Sequence, residues 1–255
     1  MTLADVLDEE FFATSWRQAP RLLRGASAHF LSSIPDHDTI DRWVEDAKNG
    51  DNEVAFRERG GHLQLLERVS EPPLDAMIDE AQALFAWDDI WCDLVRTTRR
   101  ESLGGHFDNS DNFVIQLEGV KKWRLAPRAE VPPEIVRLRL LGVPGVAEFP
   151  IRGDAWTCTA RPGDVVYLPL CWPHHGIALS PSLSVTLAVN ARVPAELVAS
   201  AVFDALAPEP WASEAMPVGP GVDREAVARA ALEGLSGHQA AIVAFMVRGQ
   251  RPRPN

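Results

Sequence analysis

The feature that most constrains this chain is residues 89–192, where short runs rich in Val, Ile, Leu, Thr and Trp are cut apart by Gly, Pro and Asp. WCDLVRTTR, NFVIQLE, KKWRLAP, AWTCTA, DVVYLPL and LSVTLAVNA each have the length and composition of a strand. Many short strands with turn signals between them imply a β-sandwich or barrel. No βαβ alternation is present, and neither a GxGxxG nor a P-loop sequence occurs.

Helical spacing flanks this region. Leu3, Val6, Leu7, Phe11 and Phe12 recur at helical intervals, and SWRQAPRLLRGA follows as an extended lead into a first strand. Residues 36–47 open on Asp caps and read as helix. EVAFRERGGHLQLLERV holds two alternating runs around Gly60-Gly61, a hairpin signal. Pro72 and Pro73 introduce LDAMIDEAQALFAW, whose Leu74, Met77, Ile78, Ala81, Leu84 and Phe85 share one helical face. From Pro194 onward AELVASAVFDAL, DREAVARAALEGL and HQAAIVAFMV return to helical spacing, with a Pro- and Gly-rich loop between the first two. The expected division is one domain over 1–193 and a helical region over 194–255, packed on the barrel or on a second subunit.

Charge and composition narrow the partners. Asp and Glu number 36 against 25 Lys and Arg, a net charge of −11, which repels nucleic-acid phosphates. No nucleic-acid partner is expected. No run approaches the ~20 apolar residues of a membrane helix. MTLADVLDEEFF has no basic region followed by an apolar core, so no signal peptide is expected. Cys92, Cys158 and Cys171 form no CxxC pair, which suggests neither a zinc knuckle nor a disulfide framework. A reducing cytoplasm is the expected setting.

The chemistry concentrates in two segments. In GGHFDNSDNFVIQLEGVKKWRLAP, His106 and Asp108 are separated by one residue. On a strand they point to the same face, roughly 6.6 Å apart along the chain, with Phe107 pointing the other way. In ARPGDVVYLPLCWPHHGIAL, a Pro-Gly-Asp turn opens an apolar strand, and Pro173 stiffens the approach to His174 and His175. Adjacent histidines cannot both face inward on an extended segment, so one of the two is a candidate third ligand. Two His and one carboxylate form the facial set of non-haem Fe(II), which leaves coordination positions open.

HFDNSDNFVIQLEGVKKWRL followed by GDVVYLPLCWPHHG resembles the JmjC/cupin-type 2-oxoglutarate oxygenases, most of all the bacterial branch of the ribosomal oxygenases. That resemblance implies a double-stranded β-helix with flanking helices and a C-terminal helical appendage. It also implies Fe(II), 2-oxoglutarate and O2 as cofactor and co-substrates. The activity it implies is hydroxylation of a C–H bond of an amino-acid side chain in a protein, peptide or free amino acid. It assigns His106, Asp108 and His174 to the metal, and reads His175 as second shell or solvent-facing. Lys121, fifteen residues after His106, falls where the family places the cation for the distal carboxylate of 2-oxoglutarate. The physics agrees, because a buried carboxylate needs a cation and hydrogen bonds to offset desolvation. Lys122 then points outward.

Asn112, Thr186 and Asn190 are further candidates for the co-substrate. Gln116, Trp172 and Arg99 are candidates for the substrate side, Arg99 within the basic cluster RTTRRES. Cys171 stands where the family commonly has glycine. The 255 residues are expected to end before the winged-helix domain of the ribosomal oxygenases would fit. A homodimer through the helical tail is expected by analogy. Two readings from other classes stay open: a cupin metalloenzyme that does not use 2-oxoglutarate, and a non-catalytic binding protein on a relic barrel.

Overall fold

The structure, a computed structural model, describes residues 2–31, 35–50, 54–72, 74–141, 143, 145–191, 198–199, 201–202, 205–206, 229 and 232–248. The chain divides into two compact units, Met1–Ala191 and Arg192–Asn255.

Among the described residues the first unit holds ten strands: β1 (Arg21–Leu23), β2 (Ala55–Arg59), β3 (Leu63–Glu67), β4 (Ile90–Thr97), β5 (Ser110–Glu118), β6 (Lys121–Leu125), β7 (Trp156–Ala160), β8 (Val165–Leu168), β9 (His174–Ala178) and β10 (Ser182–Asn190). Every pairing is antiparallel, in a seven-stranded sheet β1-β8-β5-β10-β4-β3-β2 and a three-stranded sheet β7-β6-β9. Isolated bridges from His106 to His174 and to Glu148 extend the smaller sheet beyond β9. With that segment included, the chain from β4 to β10 crosses repeatedly between the sheets, the topology of a double-stranded β-helix.

Strand alternation sorts side chains into two layers. Phe113, Ile115 and Leu117 of β5 join Val165, Tyr167, Leu183, Val185 and Leu187 in a core shared with the N-terminal helices. Val114 instead packs with Val166, Leu168, Trp123 and Leu125 inside the barrel. The sheet is therefore buried on both faces, which explains why its strands read as nearly continuous apolar runs.

Four helices cover the outer layer: α1 (Glu9–Thr14), α2 (Ser27–Phe30), α3 (His37–Asn49) and α4 (Leu74–Phe85). Asp36 caps α3 by accepting from the Thr39 N–H at 2.8 Å, and Gly50 ends it in the left-handed region at φ 73°. The helix expected over Leu3–Phe12 is broken in two, a 3-10 turn at Leu3–Asp5 and then α1. Asp8 causes the break: its carboxylate accepts from the Phe11 N–H at 2.8 Å and starts a new helix.

Helix α5 (Pro133–Leu140) lies between β6 and β7 and was not foreseen. Pro stands in its first turn with Glu134, and Arg137 and Arg139 occupy its last turn. Ile135, Val136 and Leu140 pack with Phe107, Leu170 and Cys171. In the second unit, a helix spans Gln239–Arg248, covering nearly all of the third apolar stretch and one residue beyond it. Residues 198–199, 201–202, 205–206, 229 and 232–236 are helical, and the remainder of the two preceding stretches, with the loop between them, lies outside the described residues. Among the described residues no helix is long and apolar enough to cross a membrane.

Candidate metal centre

The segment carrying His106 is clamped on both sides. The His106 N–H donates to the His174 carbonyl at 3.1 Å, and the His174 N–H donates back to the His106 carbonyl at 2.7 Å. On the other side the Phe107 N–H donates to the Ala147 carbonyl at 3.0 Å. Gly105 is required there, since a Cβ would lie 2.6 Å from the Phe149 carbonyl oxygen. Phe107 turns into the α5 cluster, so His106 and Asp108 share the opposite side.

His106, Asp108 and His174 come together, with one possible ligand atom from each lying within 4.8 Å of the others. His174 Nε2 lies 3.3 Å from Asp108 Oδ2, and His106 Nε2 lies 3.8 Å from Asp108 Oδ1. Nδ1 of His106 is 3.1 Å from the Gly104 carbonyl, and Nδ1 of His174 is 2.9 Å from the Trp172 carbonyl. A carbonyl only accepts, so both Nδ1 atoms carry a proton, which leaves each Nε2, facing Asp108, as the atom available to ligate a metal. Burial alone would raise the Asp108 pKa. The hydrogen bond and charge of His174, with His106 and Arg139, outweigh it and hold the carboxyl well below the usual range. Burial and the neighbouring His174 lower the His106 pKa, which favours the neutral imidazole. Two neutral imidazoles and one carboxylate fit a divalent first-row metal, the set used by non-haem Fe(II).

Asn112, expected at the co-substrate, is placed against Asp108: its Nδ2 donates to Asp108 Oδ2 at 2.8 Å, while Ser110 Oγ donates to its Oδ1 at 2.8 Å. It orients the carboxylate. His175 lies on the other face of β9, with Nε2 2.9 Å from Ser102 Oγ, away from the cluster. Trp172 is half-buried and enters the site through its carbonyl. Cys171 has φ 58°, a left-handed conformation that suits glycine, which accounts for glycine being common there. Its N–H donates to the Asp108 carbonyl at 3.0 Å and so ties the His174 loop to the His106 segment.

Lys121 is 4% exposed, flanked across β6 by Ala160 and Ala178, whose small side chains leave room for it. Its Nζ donates to Ser184 Oγ at 3.1 Å and lies 5.6 Å from the Trp123 ring centroid. Burial pushes its pKa down from 10.5 to about 8, with no carboxylate among the described residues offsetting the cost. Lys122 is exposed. Ser184 was missed, although it shares strand parity with Thr186 on β10. Thr186 lies between Val114 and Asp93 in register, half-buried on the Ser184 face. Asn190 is committed elsewhere: it donates to Asp89 Oδ2 at 2.6 Å and accepts from Asn109 at 3.3 Å, which ties the end of β10 to the loop after Asp108. Gln116 is fully buried at the far end, donating to Ser182 Oγ at 2.8 Å and the Glu118 carbonyl at 2.6 Å, where it closes the bulge at Leu183/Ser184. Arg99 is exposed in a turn. Arg139, which sequence reasoning did not single out, reaches within 3.8 Å of Asp108 Oδ1.

A JmjC domain is matched over residues 88–197. The ribosomal protein uL16 3-hydroxylase of Escherichia coli is 29% identical over 214 residues, covering 74% of this chain and 54% of its own length. A bifunctional lysine-specific demethylase and histidyl-hydroxylase of Drosophila persimilis is 30% identical over 87 residues, 34% of this chain and 12% of that protein. The chain thus spans about half or less of these relatives' lengths. Among solved structures, the E. coli ribosomal oxygenase YcfD with cobalt and 2-oxoglutarate superposes with a TM-score of 0.62 at 16% identity, covering 95% of this chain and 71% of that one. The same protein with cobalt and succinic acid gives a TM-score of 0.60 at 18% identity, covering 92% and 68%. Strand order, motif match and superposition agree on the fold: the chain carries a double-stranded β-helix in which a JmjC domain is matched over residues 88–197.

Proposed function

We propose that this chain is an Fe(II)- and 2-oxoglutarate-dependent oxygenase that hydroxylates a C–H bond of an amino-acid side chain in a protein. The observation that carries the reading is Lys121, a buried cation whose one hydrogen bond among the described residues goes to a serine hydroxyl, in the barrel that holds the His-Asp-His cluster. Burying an unpaired charge is costly, and a carboxylate ligand supplies the missing partner.

His106 and His174 would hold the metal through Nε2 and Asp108 through its carboxylate. Bound Fe(II) supplies the activation of dioxygen, coupled to decarboxylation of 2-oxoglutarate to succinate and carbon dioxide. Lys121 and Ser184 anchor the distal carboxylate and so fix the direction in which the 2-oxo acid end points. Backbone carbonyls of Gly104 and Trp172 hold the imidazole tautomers, and Asn112 holds Asp108. Val114, Leu125, Val166 and Leu168 line the barrel with apolar surface that excludes water.

A protein substrate is supported by relatives named for protein hydroxylation. By analogy alone 194–255 is read as a dimerisation region, which sedimentation at micromolar concentration tests directly. The three free cysteines suit a reducing cytoplasm. The test of the activity is succinate formation by iron-loaded protein with 2-oxoglutarate and oxygen. Iron-dependent succinate, lost in Lys121→Ala, is expected. Iron-dependent turnover of another kind that survives Lys121→Ala unchanged would instead mark a metalloenzyme that does not use 2-oxoglutarate.

A further inference from the structure

Arg139 presents a guanidinium to the metal cluster without being satisfied there. Its Nη2 lies 3.8 Å from Asp108 Oδ1, beyond hydrogen-bonding distance. Its Nε is buried with no hydrogen-bond partner among the described residues, a rare state for an N–H. The side chain is 25% exposed and its helix is anchored: Val136 and Leu140 of α5 pack against Phe107, the residue between two of the three clustered ligands, and against Cys171 near the third. The core therefore fixes the helix that carries Arg139 and keeps its guanidinium within reach of Asp108.

Asp108 cannot serve two cations equally. A divalent metal on its carboxylate brings positive charge toward Arg139, and like charges a few ångströms apart in a partly buried site repel strongly. An anion resolves the conflict, and a carboxylate matches the guanidinium fork. We propose that Arg139 is an anion-coupling residue. It partners Asp108 in the metal-free protein and turns to a carboxylate at the metal once the metal holds Asp108, so that metal and dicarboxylate bind with positive cooperativity. This rests on the function proposed above and adds to it a residue that makes each ligand recruit the other. Linkage requires the coupling to be reciprocal.

The experiment is calorimetric titration of Mn(II) into the apo-protein, alone and with saturating 2-oxoglutarate or succinate, for wild type, Arg139→Gln and Arg139→Lys. In wild type, either dicarboxylate is expected to tighten Mn(II) binding at least tenfold. In Arg139→Gln, Mn(II) alone is expected to bind tighter than to wild type, with the coupling falling severalfold to what direct contact of the dicarboxylate with the metal supplies. Arg139→Lys, which keeps the charge, is expected to retain most of the coupling. Coupling that persists undiminished in Arg139→Gln, with Mn(II) affinity unchanged, overturns the assignment. Wild type that binds Mn(II) but neither dicarboxylate refutes the 2-oxoglutarate reading instead, so the two failures are distinguishable. Circular dichroism of each variant confirms that the fold is intact.

Discussion

Replacing Lys121 by Met separates what this residue costs the fold from what it does for a ligand. Its pKa falls from 10.5 to about 8 through burial. A shift of that size corresponds to about 3 kcal/mol against the charged form. The sign follows from proton counting. Between about pH 8 and 10.5 the unfolded chain binds more protons than the native one, so stability rises with pH across that window. Below pH 8 the native protein carries the full penalty. Methionine fills a similar volume without a charge, at the loss of one hydrogen bond to Ser184, about 1 kcal/mol. The net expectation at pH 7 is a gain of about 2 kcal/mol, or roughly 4–8 °C in Tm for a chain of this size. In the metal-loaded wild type, 2-oxoglutarate at a hundred times its Kd adds about 2.7 kcal/mol, and in Lys121→Met it adds nothing. Thermal melts of both proteins, with and without 2-oxoglutarate, read out both effects. A variant that melts lower than wild type without ligand would refute the argument, because Lys121 would then be a stabilising partner. A ligand-induced shift that survives the substitution would refute the anchoring role.

Since a pKa near 8 makes Lys121 mostly neutral at pH 9, the Kd for 2-oxoglutarate is expected to be about tenfold weaker at pH 9 than at pH 7, measured by calorimetry at constant metal. Asp111 is fully buried and accepts from Arg17 Nε at 2.8 Å, Tyr167 Oη at 2.7 Å and the Leu170 N–H at 3.0 Å. Asp111→Ala strands the Tyr167 hydroxyl and the Leu170 N–H, since Arg17 is half-exposed and can turn to water, and should cost about 2–4 kcal/mol in urea unfolding; a loss under 1 kcal/mol would contradict that network. A Cβ at Gly176 would stand 2.8 Å from the Trp123 ring, so Gly176→Ala is expected to displace that indole, lower Tm and alter tryptophan fluorescence.

The legible parts were those set by local chemistry. The hairpin at Gly60-Gly61, the Asp36 cap and the strand alternation of β5 follow from residue type and period, and all three appear in the fold. His106 and Asp108 share a side as strand parity predicts, but only His106 forms a bridge and the residues from Phe107 to Asn109 are irregular, so tertiary hydrogen bonds and not a strand hold the pair. Parity alone left His174 and His175 equivalent; the Trp172 carbonyl two residues before His174 holds its Nδ1, and the distant Ser102 holds His175, a tertiary contact that no local pattern shows. Helix α5 was hidden because EIVRLRL alternates like a strand. Packing on Phe107 selects the helix, and Arg139 arrives at Asp108 with it. Asn112 and Asn190 were recognised as polar residues facing inward, but their partners, Asp108 and Asp89, depend on loops that no periodicity describes.

The central claim is that the His-Asp-His cluster and Lys121 together run 2-oxoglutarate turnover. The most direct test is succinate formation by anaerobically iron-loaded wild type and His106→Ala, each then given oxygen and 2-oxoglutarate. The account predicts iron-dependent succinate in wild type and none above background in His106→Ala. Undiminished succinate from His106→Ala would contradict it.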